Sequence, residues 1–497
     1  MDKLKIVFAS PEAVPFAKTG GLADVAGALP RSLASLGADV TLIMPRYGFI
    51  PYEFLGGATQ VVDSSVRIGD SLQNYKMYQI RDRKLTLDTI LIENDEYFNR
   101  ASLYTDPHTL KDYPDNDRRF MFFALAVMEG LKKLGVKPDI IHANDWQSAL
   151  LPIYLKNRYG DDPFYSATAS VFTIHNLAYQ GVFPAESFKY LGLPDNLFYS
   201  IGPLEYYGKV NLMKGAIYFS DIITTVSPSY AREIQTDEEF GFGLEGVLQS
   251  RSDDLRGILN GVDYKVWSPS RDKFAPHHYN LANMSGKRAN KVDLLNELDL
   301  PYRDYSLLIG MITRLVDQKG LDILAEVADD LLKLDIQLVV LGTGDTKYHE
   351  LLTNLQKKYH DQVRALLKFD NTMAHWIEAA SDLFLMPSQF EPCGLNQLYS
   401  LKYGTLPIVR AVGGLADSVE DFNPATGEGT GFVFKDYKGK QLLETVKRAV
   451  SLYERKRLWR KIMKNGMKKD FSWERAAQDY ISAYKQAISQ KGMVTKT

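Results

Sequence analysis

The chain contains one cysteine, Cys393, in 497 residues. An internal disulfide is therefore excluded, no Cys/His cluster has zinc-site spacing, and a reducing compartment fits. An excess of one charge is also missing: 59 Lys and Arg face 61 Asp and Glu, a formal net charge of -2. That balance lacks both the basic surplus of a nucleic-acid binder and the acidic run of a solvating tail. No uninterrupted apolar stretch is long enough to span a bilayer. The first apolar run, Lys3-Leu4-Lys5-Ile6-Val7-Phe8, is too short for the hydrophobic region of a signal peptide and reads as a strand. The expectation is a cytoplasmic protein with no nucleic-acid or membrane partner.

What is present is an ordinary globular composition, 45% hydrophobic and 24% charged. The length exceeds what one core holds, so two domains are expected, with room for a third. Aromatic residues make up 12% of the chain, 29 of them Tyr. Such rings either fill a large core or present faces to sugars, and core filling is the default.

Short apolar runs alternate with helical periodicity. Residues 4–9 and 38–44 read as strands, and between them Leu22, Val25, Ala26, Leu29, Leu33 and Leu36 recur at helical spacing. Further strands are predicted at 139–142, 170–174 and 221–226, the last followed by Ser227-Pro228, a cap and first-turn pair that opens a helix. Beyond the Asn260-Gly261 turn the alternation restarts, with strands at 307–312, 337–341, 383–386 and 406–409 and a helix over 321–334. The domain boundary is placed around residue 255. Gly20-Gly21-Leu22-Ala23-Asp24 returns as Gly413-Gly414-Leu415-Ala416-Asp417, each time after a predicted strand and at the start of a predicted helix. The echo favours two related α/β halves of nucleotide-binding type. A last helix is predicted from Ser472.

Four segments carry candidate chemistry. Lys18-Thr19-Gly20-Gly21-Leu22 joins a strand to a helix start, where amides, the helix dipole and the lysine suit a phosphate; it reads equally as a tight turn with an exposed lysine. It is neither of the common dinucleotide or P-loop fingerprints, so a dehydrogenase and a P-loop NTPase both lose support. Arg314 and Lys319 follow a strand in the second half and either hold a diphosphate or lie in a solvated loop. Glu391-Pro392-Cys393-Gly394-Leu395 lies between a strand and a helix. There Glu391 can bond sugar hydroxyls or steady an oxocarbenium-like centre, and the amides of Gly394 and Leu395 can face an anion. Cys393 reads as a small filler more readily than as a reactive thiol. His142, Asp145-Trp146 and His175-Asn176 sit at strand ends in the first half, where Asp145 and the indole can hold a sugar. Asp115-Asn116-Asp117 has the form some glycosyltransferases use for a metal, but its Tyr/Pro-rich surroundings read as a solvated turn.

Together these segments resemble the bacterial glycogen synthase and plant starch synthase family over nearly the whole chain. The resemblance runs through KTGGLADV at Lys18, HANDWQ at His142, TIHNLAYQG at Thr173 and ILNGVD at Ile258. It continues in TRLVDQKG at Thr313, PSQFEPCGLNQLYSLKYGT at Pro387 and GGLADSV at Gly413. It implies an α/β fold of two Rossmann-like domains with a deep interdomain cleft, the GT-B arrangement. Residues 1–255 would form an N-terminal acceptor-side domain and 256–470 a nucleotide-sugar-binding domain. Residues 471–497 would form a helix returning to the first domain, with a hinge near 255.

The activity implied is transfer of glucose from ADP-glucose to the non-reducing end of an α-1,4-glucan, with retention of configuration and with neither a metal nor another cofactor. By the same resemblance Arg314 and Lys319 bind the donor phosphates with help from Lys18, Gly20 and Gly21, and Glu391 lies near the donor glucose. His175 lies near the anomeric carbon, Asp145 contacts the sugar region, and Cys393, Gly394, Leu395 and Thr405 complete the donor site. The lack of an evident transit peptide favours the bacterial type, and hence ADP-glucose over UDP-glucose. Three alternatives stand beside this reading: another GT-B glucosyltransferase with a small acceptor, a glucan phosphorylase with lysine-bound pyridoxal phosphate, and a non-catalytic glucan-binding protein.

Overall fold

The computed structural model describes residues 3–82, 87–109 and 111–494. They form two compact units, Met1–Gly261 with Trp473–Thr497, and Val262–Ser472.

Among the described residues the first unit contains twelve strands: β1 (Lys5–Ala9), β2 (Asp39–Pro45), β3 (Thr59–Ile68), β4 (Ser71–Asp82), β5 (Leu87–Glu93), β6 (Ile140–Asn144), β7 (Ala169–Ile174), β8 (Val182–Phe183), β9 (Glu205–Tyr206), β10 (Lys209–Asn211), β11 (Ile222–Thr225) and β12 (Leu255–Gly257). Nine of them make one sheet in the order β12-β11-β7-β6-β1-β2-β5-β4-β3, and β8-β10-β9 make a small separate sheet. The pairings from β12 across to β5 are parallel. Every residue of β6 and β7 is buried, as expected of parallel strands covered on both faces. The β3–β4 ribbon is antiparallel and alternates buried with open positions, a pattern that an apolar-run reading passes over. β12 pairs with β11, so this sheet includes residues beyond position 255.

The helix Gly21–Ser35 buries Leu22, Val25, Ala26, Leu29 and Leu33 along one stripe. The helix Trp473–Val494 packs against it and against β7, with Tyr480 and Tyr484 fully buried. The Tyr484 hydroxyl bonds His142 Nδ1 at 2.8 Å, which fastens this helix to β6.

The second unit holds β13 (Leu307–Ile312), β14 (Ile336–Leu341), β15 (Val363–Leu366), β16 (Leu383–Met386), β17 (Leu406–Arg410) and β18 (Phe432–Phe434). All pair in parallel in the order β15-β14-β13-β16-β17-β18. Numbered from one, that is 3-2-1-4-5-6, the doubly wound nucleotide-binding order, and it reverses between β13 and β16. The first sheet follows the same scheme, with the β3–β4 ribbon inserted before β5, and its reversal lies between β1 and β6. The α/β fold of two Rossmann-like units is thus explicit in the strand order. Predicted strands and helices fall within a residue or two of those observed.

The repeated pentad marks places that are not equivalent. The first opens the helix after strand one of its sheet, and the second opens Gly413–Ser418, after strand five. The two halves do share a fold, but the pentad is not its repeat unit. Among the described residues no helix is long and apolar enough to cross a membrane.

Candidate active site

In the second unit the loops after β13 and β16 meet at the reversal point. The backbone amide of Gln389 donates to the Gln318 carbonyl at 2.8 Å, and Gln318 Nε2 donates to the Phe390 carbonyl at 3.1 Å. Asn396 Nδ2, at the start of the helix Asn396–Tyr403, donates to the carbonyl of Ile312 at 2.7 Å. These bonds bring Lys319 to Glu391, with Nζ and Oε2 2.6 Å apart and the side chains 15% and 9% exposed. Ser388 Oγ donates to the same carboxylate oxygen at 2.9 Å. Arg314 shares the loop, its guanidinium 3.3 Å from Gln318 Oε1.

The Glu391 turn is held from behind by the second glycine pair. Gly414 N donates to the Glu391 carbonyl at 3.1 Å, and a Cβ on Gly413 (φ +42°) would lie 2.1 Å from that same oxygen. No side chain larger than hydrogen fits there, so this pair is a backing for the Glu391 turn. Cys393 is buried, and its backbone lies against Gly414 so closely that a Cβ there would meet the Cys393 carbonyl oxygen at 2.2 Å. Gly394 takes a left-handed conformation (φ +71°), and Leu395 precedes the helix, whose first amides have no side-chain cap.

Thr405 is elsewhere. It is fully buried just before β17, at the amino end of the strand, and its hydroxyl serves the carbonyls of Glu378 (2.6 Å) and Ser381 (3.0 Å) and the Lys287 ammonium (2.7 Å). The expectation that it completes the donor site is corrected: ligands in such sheets bind at the carboxyl ends of strands. Thr405 is a core residue that lends an acceptor to a buried lysine.

In the first unit Lys18 is half-exposed and pairs with Asp24 at 2.7 Å. Burial raises the Asp24 pKa against the opposing pull of Lys18. Gly20 caps the Gly21–Ser35 helix with extended backbone. Behind this loop stands Glu12, a residue the sequence reading did not single out. Its carboxylate accepts from Thr19 N at 2.5 Å and from Thr19 Oγ1 at 3.0 Å. Burial pushes its pKa up to about 7, against the lowering effect of those bonds. The signal available was its position, an acidic residue just past the carboxyl end of the first strand.

Asp145 follows β6 with positive φ (55°), unusual for a residue with a side chain. Its Oδ1 accepts from the backbone amide of His175 at 2.7 Å, and burial raises its pKa to about 7 although the His175 and Asn176 amides oppose the shift. His175 Nε2 lies 3.0 Å from Asn144 Oδ1, while Asn144 Nδ2 donates to the Ala9 carbonyl. The amide oxygen can only accept, so His175 carries its proton on Nε2. Burial lowers the His175 pKa to about 3, which keeps the ring neutral. Asp145 and Asn144 therefore clamp His175 by backbone and by ring. His142, also lowered to about 3 by burial, bonds Tyr484 and Thr173 and is structural.

Asp115-Asn116-Asp117 is not a solvated turn. It starts the helix Asn116–Leu134, Asp115 pairs with Arg100 at 2.6 Å, Asn116 is buried, and Asp117 accepts from Ser187 at 2.7 Å. Among the described residues no three His, Cys, Asp or Glu side chains gather as metal ligands.

Residues 5–250 match the profile of the starch synthase catalytic domain, and residues 300–466 that of the group 1 glycosyl transferases. The glycogen synthase of Thermotoga maritima is 46% identical over 497 residues, covering 98% of this chain and all of that one. That of Koribacter versatilis is 46% identical over 486 residues, covering 97% and 98%. Among solved structures, the catalytic domain of starch synthase IV from Arabidopsis thaliana, bound to ADP and acarbose, matches with a TM-score of 0.90 at 34% identity, over 98% of this chain and 100% of that one. A sucrose-phosphate synthase from Thermosynechococcus elongatus matches with a TM-score of 0.61 at 18% identity, over 98% and 100%, a likeness of fold alone.

Proposed function

The chain belongs to the glycogen and starch synthase family of glycosyltransferases, and from that premise we propose that it moves glucose from ADP-glucose to the non-reducing end of an α-1,4-glucan, with retention of configuration and no metal ion. The observation that carries this reading is the Lys319–Glu391 pair at the reversal point of the second sheet, with Arg314 on the same loop.

Glucosyl transfer builds negative charge on the departing diphosphate and positive charge at the anomeric carbon. Arg314, Lys319 and the uncapped amides that open the Asn396–Tyr403 helix answer the first, in the role a metal ion plays in other transferases. Glu391 answers the second. The neutral, donor-locked imidazole of His175 cannot supply a proton near neutrality. The acceptor hydroxyl therefore gives its proton to the leaving phosphate in a front-face attack. Bacterial relatives named glycogen synthase and the ADP-bound starch synthase support the nucleotide assignment.

The test is glucose incorporation into glycogen without added metal, from ADP-glucose and from UDP-glucose. Faster incorporation from ADP-glucose, with the anomeric configuration kept, is expected. Incorporation from neither donor would shift the reading to a small acceptor, and a trapped glucosyl–Glu391 ester would overturn the front-face route.

A further inference from the structure

The loop that carries Arg314 and Lys319 is strapped on both of its sides. Past β13 its backbone runs beside the loop that follows β14. Leu315 N donates to the Thr343 carbonyl at 2.9 Å, and Asp345 N donates to the Leu315 carbonyl at 2.8 Å. The approach is close enough to need glycine twice: a Cβ on Gly342 would lie 1.8 Å from the Thr313 carbonyl oxygen, and one on Gly344 2.3 Å from that of Leu315. Beyond Leu315 the chain makes a single tight turn, Asp317–Lys319, which Gly320 (φ +74°) closes by donating from its amide to the Asp317 carbonyl at 3.0 Å. Strands β14 and β16 flank β13 in the sheet, and two neighbouring side chains of the turn reach one toward each. Gln318 bonds the Phe390 carbonyl on the β16 side. Asp317 turns to the β14 side and meets the first turn of the helix Thr346–Lys358. There the Tyr348 hydroxyl donates to Asp317 Oδ1 at 2.5 Å, and Lys347 Nζ bonds the same oxygen.

The two bonds to Asp317 are unequal. The Lys347 and Asp317 side chains are 57% and 65% exposed, where an ion pair holds little. Tyr348 is buried in the core of the unit, so its hydroxyl is a fixed point. Burial and the Asp317 charge raise its pKa, which keeps the proton on the hydroxyl. On charge alone Asp317 is a poor neighbour for a diphosphate, since it stands two residues from Lys319 and three from Arg314 and like charges repel. Its use is mechanical. We propose that Asp317 is a positioning residue for the donor: bound to the Tyr348 hydroxyl, it holds the Asp317–Lys319 turn so that Arg314 and Lys319 meet the donor diphosphate already in place. This rests on the reading of those two cations as the diphosphate site. With the strap cut, the turn has to be ordered when the donor binds. That cost is common to the ground state and the transition state, so it enters KM and not kcat.

The test measures KM for ADP-glucose, KM for glycogen and kcat in the wild type, Asp317→Ala, Asp317→Asn and Tyr348→Phe. Isothermal titration follows ADP binding, and thermal unfolding checks that the fold is intact. Asp317→Ala and Tyr348→Phe are each expected to raise the donor KM and the ADP Kd about tenfold, with kcat and the glycogen KM unchanged. Asp317→Asn keeps an acceptor for the hydroxyl without the charge, and its donor KM should stay at the wild-type value. The double variant Asp317→Ala/Tyr348→Phe should be no weaker than either single one, because both cut the same bond. A donor KM that neither single variant moves, in a wild type that binds ADP, overturns the positioning role and leaves the proposed function standing. A loss that Asp317→Asn shares, or one that raises the glycogen KM equally, overturns it too. A wild type that binds no ADP removes both.

Discussion

Replacing Glu391 with alanine should separate the binding of a diphosphate from the chemistry performed on it. In the free protein Lys319 is held 2.6 Å from the Glu391 carboxylate, both side chains mostly out of water. A diphosphate that recruits this ammonium must first draw it from its partner. A partly buried pair of this geometry is worth about 1–2 kcal/mol net, between an exposed pair and a fully buried one. With Glu391 gone, that opposing attraction is absent, and ADP should bind about tenfold more tightly. Turnover should move the other way. A lost electrostatic contact to the charged centre of a transition state lowers kcat about 100- to 1000-fold. Isothermal titration with ADP and kcat from glucose incorporation read the two effects separately. If ADP binding weakens together with kcat, Glu391 is part of the diphosphate site and the division of labour argued here is wrong.

Other perturbations give distinct outcomes. Thr405→Val should lower stability by about 1–3 kcal/mol by taking a bond from buried Lys287, while the donor KM stays put; a raised KM would return Thr405 to the donor site. Glu12→Gln removes a carboxyl whose pKa rises from 4.5 to about 7 on folding. Folded protein binds the extra proton between those values, so the wild type should lose stability relative to the variant as pH rises from about 4.5 to about 7, by up to about 3 kcal/mol. Chemical denaturation at several pH values measures the difference, and a difference that stays flat or runs the other way refutes the burial argument. Tyr484→Phe breaks the bond from the last helix to His142 and should reduce stability by about 1 kcal/mol without changing kcat. An unchanged melting temperature would show that packing alone holds that helix.

Strand positions were legible because parallel strands buried on both faces appear as short apolar runs, as in β7 and β13. The β3–β4 ribbon was not, because its open face carries Ser, Gln and Asp and breaks the runs. Motif residues near strand ends were legible as candidates, but their partners were not. Nothing local says that Gln318 would zip two loops 72 residues apart, or that Asp145 would accept the amide of His175, 30 residues on. Asp115–Asp117 was misread for a related reason. Tyr- and Pro-rich flanks suggested solvent, whereas Arg100 and Ser187, from other segments, bond the two carboxylates.

The Thr405 error is more instructive, because the correct rule was already in use. Lys319, Glu391, Asp145 and His175 were placed by their position after a strand, where parallel sheets gather ligands. Thr405 precedes β17 and so sits at the opposite end of the sheet. Its inclusion came from belonging to a long matching segment, PSQFEPCGLNQLYSLKYGT, that starts at the active end of β16 and crosses the whole unit along the Asn396–Tyr403 helix. Eight helical residues advance about 12 Å, so a motif that spans such a helix has one end at the site and the other end in the core. Residues carried over with a motif should therefore be divided at the helix. Those before it lie at the carboxyl ends of the strands, and those after it belong to the packing that fixes the helix, as Thr405 does by serving Lys287 and the Glu378 carbonyl. By the same division, the Tyr179–Gly181 end of TIHNLAYQG, with no helix between it and His175, stays at the carboxyl end of its strand.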